Sequence, residues 1–73
     1  MNWDRIEKHW AYYEQLARQR WAKITIDELD IIGGRRQELV EHIQDVYRIT
    51  LEAARKQVQA WQRHLQDGEP GSA

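Results

Sequence analysis

From the start of the chain, apolar side chains fall at Trp3, Ile6, Trp10, Tyr13 and Ala17, in alternating steps of three and four. That spacing keeps them on one face of a helix and predicts a first helix running to about Ala22. Asn2 is placed to cap its start, and Asp4 faces the positive end of its dipole. Asp4 with Lys8, and Glu14 with Arg18, stand four apart as opposite charges on the polar side, a solvated face worth about 0.2–0.5 kcal/mol per pair.

Thr25-Ile26-Asp27-Glu28 has the form of a capping box, in which the threonine hydroxyl accepts from the Glu28 N–H and the Glu28 carboxylate reaches back to the Thr25 N–H. It opens a short second helix through about Ile32. Gly33-Gly34 stops that helix, because glycine readily takes the left-handed backbone that closes a C-terminus. Gly34 is expected at the turn itself, with Gly33 continuing the helix before it. A third helix from about Arg35 to Tyr47 carries Leu39, Val40, Ile43, Val46 and Tyr47 as a broad apolar stripe. Arg48-Ile49 interrupts the pattern, and Thr50 is a credible cap for a fourth helix bearing Leu51, Ala54, Val58, Trp61 and Leu65, which Gly68 ends.

These elements predict an all-α fold of four short helices. Helices so unequal in length, with a double glycine after the shortest, suit two steeply packed helical hairpins better than a regular bundle. One helical domain is expected over residues 1–66, followed by a disordered tail, 67–73, with nothing apolar worth burying.

The stretch W-A-K-I-T-I-D-E-L-D-I-I-G-G-R-R-Q-E-L-V-E-H-I-Q, from Trp21 to Gln44, extends a motif that begins at His9-Trp10, passes Tyr13, and continues through Tyr47, Ala54, Val58 and Trp61. As an ordered set it resembles the signature of the CsbD-like family of small bacterial stress-associated proteins. The resemblance implies the same two-hairpin arrangement, comparable to SAM-domain-like or incomplete helix-hairpin-helix folds, and a family of unknown function with no agreed biochemical activity. Glycines frequent in that pattern are replaced here by Gln15, Ala22, Glu41 and Arg48, and each replacement is expected to favour helix.

Seventy-three residues permit one domain, which buries only roughly 60% of the surface its unfolded chain exposes. No cysteine is present, which excludes disulfides, thiolate metal sites and cysteine nucleophiles and makes a reducing cytoplasm the simplest home. The first residues lack a basic region followed by an apolar run, and no segment approaches the ~20 apolar residues that cross a bilayer. Charged residues make up 32% of the chain, yet eleven Lys and Arg nearly balance twelve Asp and Glu, so no field of one sign dominates. Low mean hydropathy points toward disorder, but four Trp and three Tyr supply large areas to bury and argue for a folded body.

The sharpest candidate site is Gly33, Gly34, Arg35 and Arg36, a glycine turn opening a helix. In helix-hairpin-helix proteins a related turn presents backbone N–H groups to a DNA phosphate, and the arginines add charge attraction. A purely structural turn and a protein-binding turn are the competing readings, and the near-neutral charge argues against nucleic acid. His9, His42 and His64 lie in three different helices, without the spacing that holds a metal. Glu38 and His42 share a face but make at most two ligands, where a closed zinc site has four. Ser72, the one serine, lies in the tail, far from any base. Trp3, Trp10, Tyr13, Trp21, Tyr47 and Trp61 have core spacing, with Tyr12 beside the stripe as the exposed member. Asp4, Glu7 and Glu14 among the basic residues of the first helix disfavour adsorption to a membrane. The sequence thus describes a non-enzymatic binding or protective module without metal or cofactor, monomeric or weakly dimeric. The partner is unknown from sequence; a protein contact is one reading, and phosphate contact through Gly33–Arg36 is the alternative.

Overall fold

The computed structural model describes residues 3–68; the Asn2 cap, Ser72 and residues 69–73 of the expected tail lie outside them. The described chain forms α1 (Trp3–Lys8), α2 (Trp10–Arg20), α3 (Ile26–Ile32), α4 (Arg36–Tyr47) and α5 (Leu51–Gly68), with no strand among the described residues. α2 packs on α3 and α4 on α5, while α1 leans on α2 and α3 joins α4. The all-α expectation holds, but with five helices, and α5 is described through Gly68, the residue expected to end it.

The fifth helix arises because the first apolar stripe does not form one rod. The chain bends at His9 (φ −112°, ψ 38°), and α2 ends at Arg20 rather than Ala22. The bend lets two parts of one stripe reach different targets. Trp3 donates its indole N–H to the Gly34 carbonyl at 2.7 Å, and Trp10 donates to the Leu29 carbonyl at 2.9 Å. Buried indoles need such partners, and here they tie the stripe to the middle of α3 and to the turn that follows it. Trp21, fully buried after α2, donates to Gln57 Oε1 at 2.9 Å and meets Trp61 edge-on at 5.3 Å, fastening the α2–α3 loop to α5.

The caps follow the sequence closely. Glu28 N–H donates to Thr25 Oγ1 at 3.2 Å, and Thr25 N–H to Glu28 Oε1 at 3.4 Å, completing the capping box. At the start of α5, Ala53 N–H donates to Thr50 Oγ1 at 3.1 Å. Two turns differ from expectation. Gly33 does not continue α3: it is itself left-handed at φ 60°, and Gly34 follows at φ 81°. Arg48 closes α4 at φ 54°, a left-handed position occupied by a side-chain-bearing residue.

The core joins Ile6, Trp10, Tyr13, Ala17, Trp21, Ile24, Leu29 and Ile32 from the first three helices and their loop with Leu39, Val40, Ile43, Ala54, Val58 and Trp61 from the last two. The expected aromatic stripe is therefore core, with Trp3 and Tyr47 half-buried at its margin and Tyr12 outside it. Leu51, assigned to the α5 stripe, is exposed at the helix start.

Candidate functional site

The turn between α3 and α4 gathers Gly33, Gly34, Arg35 and Arg36, as their adjacency requires, but gives them unequal surroundings. Gly33 is exposed and donates its N–H to the Leu29 carbonyl at 3.1 Å, closing α3. Gly34 is buried under α1, and a Cβ built on it stands 2.9 Å from Glu7 Cα and 3.3 Å from the Glu7 carbonyl oxygen. Only a residue without a side chain fits there, and its carbonyl is already the acceptor for Trp3.

Arg35 donates its N–H to the Ile32 carbonyl at 3.1 Å. Its guanidinium Nη2 reaches the Ile31 carbonyl at 2.7 Å and Glu38 Oε2 at 3.0 Å. A cation on an open carbonyl at a helix C-terminus is favoured by the dipole. Arg36, half-buried, is the first residue of α4. Two of the turn's N–H groups thus point into α3, and one arginine is engaged by a carbonyl and a carboxylate. What the turn presents outward is Ile31, 65% exposed, beside the Arg35 side chain. Periodicity gave no sign of this, because Ile31 next to Ile32 reads as a continuation of the buried stripe.

Glu38 is held by Arg35, while His42 Nδ1 lies 2.9 Å from the Glu38 backbone carbonyl, so this pair does not converge as ligands. No cluster of three or more metal-ligating side chains occurs among the described residues. No helix among the described residues is long and apolar enough to cross a membrane.

Sequence reasoning also missed a carboxyl pair. Glu14, assigned to the solvated face of the first helix, is half-buried and faces Asp30 of α3. Burial, then the hydrogen bond and charge of Asp30, push its carboxyl up to about 7, against a partial lowering by a hydrogen bond with Trp10. Near neutrality Glu14 is therefore partly protonated where it faces Asp30 between α2 and α3. Only the fold brings positions 14 and 30 together, so neither residue announces it.

The chain is 39% identical over 64 residues to a UPF0337 protein of Pectobacterium atrosepticum, covering 88% of this chain and 93% of that relative. The chain belongs to the UPF0337 family. A UPF0337 protein of Nitrosomonas europaea is 39% identical over 61 residues, which cover 84% of this chain and 65% of that longer relative. The UPF0337 protein YjbJ of Escherichia coli K12 is 34% identical over 62 residues, 85% of this chain and 90% of YjbJ. YjbJ-like UPF0337 proteins are the CsbD-like family, so the resemblance carried by the Trp21–Gln44 motif holds at the level of the family. No family model and no solved structure matches the chain. The names of these relatives assign no activity.

Within the UPF0337 frame, the four replaced glycines separate. Gln15 and Glu41 lie inside α2 and α4, where a side chain favours helix as expected. Ala22 lies in the turn after α2, and Arg48 sits at positive φ, where glycine is the residue without strain. At 22 and 48 the expectation of a helix-favouring replacement is therefore corrected.

Proposed function

We propose that this UPF0337 chain is a non-enzymatic binding or protective module of the bacterial stress response, acting in the cytoplasm, with the outer side of the α3–α4 turn as its protein-contact face. The observation that carries this reading is Ile31: among the described residues it is the most exposed large apolar side chain, and it stands in the last turn of α3 beside Arg35. Arginine is among the side chains enriched where proteins meet, and an apolar side chain beside it gains by being covered there. The CsbD-like resemblance is what suggests the stress context, and the closure of Gly34 beneath Glu7 favours a side-chain contact over a phosphate seated on backbone N–H groups.

The test is complementation of stress survival in a strain lacking the gene. Ile31→Gln leaves helix propensity and core untouched, so it is expected to fold with the stability of the wild type and to fail to restore survival. Full rescue by Ile31→Gln would remove the contact face from this turn. An amide NMR titration with short duplex and single-stranded DNA at two salt concentrations tests the phosphate alternative. Salt-sensitive shifts confined to Gly33, Gly34, Arg35 and Arg36 would transfer the turn to nucleic acid.

A further inference from the structure

The bend at His9 has no local cause in the sequence. From Trp3 to Arg20 there is neither glycine nor proline, and the apolar spacing runs through the bend without a change of phase. His9 is exposed and makes no side-chain cap. The helical ladder almost closes across it: His9 N–H still donates to the Arg5 carbonyl at 3.1 Å and Tyr13 N–H to the His9 carbonyl at 3.2 Å, while Tyr12 N–H takes the shorter step back to His9 at 3.0 Å. One residue is therefore the whole hinge, and tertiary contacts hold it bent.

Those contacts belong to α1. Ile6 is fully buried, the Trp3 indole is bonded to the Gly34 carbonyl, Glu7 lies against Gly34, and Trp3 meets Trp61 at 6.1 Å. A six-residue helix has no stability of its own, so α1 is ordered by this seat. Straightening His9 would fuse α1 and α2 into one helix of 18 residues, about 27 Å long, and lift α1 off the seat.

We infer that α1 is exchangeable, and that the partner its seat fits is a second copy of this chain. In the exchanged form each chain has a continuous helix from Trp3 to Arg20, and its Trp3, Ile6 and Glu7 occupy the Gly34–Trp61 seat of the other copy. Every seating contact of the monomer is reproduced, because the sequences are identical. The straightened hinge also restores regular helical bonding at His9. Against this stands only the entropy of association, so exchange is a concentration-dependent step, and reciprocal docking closes it as a two-fold dimer. A short hinge bent by tertiary contacts is the arrangement that invites such exchange.

The test uses the full chain, its His9→Ala and His9→Gly variants, and light scattering with sedimentation equilibrium from micromolar to millimolar concentration. His9 is exposed, and circular dichroism verifies that all three remain folded. Alanine favours and glycine disfavours the straight hinge in both chains of the dimer. His9→Ala is therefore expected to dimerise about five- to tenfold more tightly than the wild type and His9→Gly about threefold more weakly. In a dimer mixed from isotope-labelled and unlabelled chains, filtered NOEs are expected between the Trp3 indole of one chain and Gly34 of the other. Monomers throughout the range for all three proteins would overturn the inference. So would equal dimerisation of the two variants, or dimers whose Trp3–Gly34 NOEs are confined to one chain.

Discussion

Between Arg36 and Gly68 the chain makes two helices, of 12 and 18 residues, whereas between Trp3 and Ile32 it makes three, of 6, 11 and 7. The longer pair is held by area. Leu39, Val40 and Ile43 of α4 and Ala54 and Val58 of α5 are fully buried along regular stripes. The shorter trio buries comparable side chains but is fixed at points: an indole on the Gly34 carbonyl, an indole on the Leu29 carbonyl, a capping box, and a glycine against which a helix backbone lies. Where helices are too short to align by periodic packing, a few directional contacts set the geometry. Damage should therefore be graded by area in one half and by position in the other.

The sharpest way to break that contrast is to add a methyl group at two glycines and to remove two from a buried valine. Gly34→Ala combines positive φ with a collision against the Glu7 backbone and is expected to destabilise by about 2–4 kcal/mol. Val58→Ala, a cavity in the regular half, should cost about 1.5–3 kcal/mol. Gly33→Ala has ordinary space around its Cβ, 3.7 Å from the Asp30 carbonyl oxygen, and carries only the backbone strain, about 1–2 kcal/mol. Denaturant unfolding of the three variants gives the ranking. Equal losses at 33 and 34 would mean that the close approach of α1 does not set the requirement for glycine.

A smaller change of opposite sign tests the end of α4. Arg48→Gly relieves a left-handed side-chain-bearing residue and is expected to stabilise by about 0.5–1 kcal/mol, read as a raised denaturation midpoint. Destabilisation would show that the Arg48 side chain contributes more than its backbone strain removes.

The least effect is expected from Glu14, whose half-exposed setting screens its interactions. Its folded pKa is raised from 4.5 to about 7, so the folded state holds the proton more tightly than the unfolded one. The associated stability is fully present below pH ~4.5 and is lost as pH rises through about 7. Glu14→Gln is expected to flatten this slope in melting temperatures measured from pH 4 to 8. An unchanged slope would detach it from the Glu14 and Asp30 pair.

The capping box, the Thr50 cap, the stripes of α4 and α5 and the burial of the aromatic residues were legible because each is set by neighbours within a turn or two. The bend at His9 was not, since its cause lies at Gly34, far along the chain. Burial of tryptophan follows from spacing, but the acceptor for each indole N–H depends on tertiary placement. The candidate turn was likewise legible as a turn and as a run of residues. Its covered side, with Glu7 on Gly34, and its open side, with Ile31, appear only once α1 is placed.

Three of the four tryptophans form one chain of rings, with Trp21 at 5.3 Å from Trp61 and Trp61 at 6.1 Å from Trp3. At such separations excitation migrates among the indoles faster than it is emitted, and their strong transitions mix. The fluorescence and near-ultraviolet dichroism of the native protein therefore belong to the array as a whole. Because the array links α1, the α2–α3 loop and α5, the molecule carries an optical readout of its own tertiary assembly, and no dye is needed to follow the seating of α1.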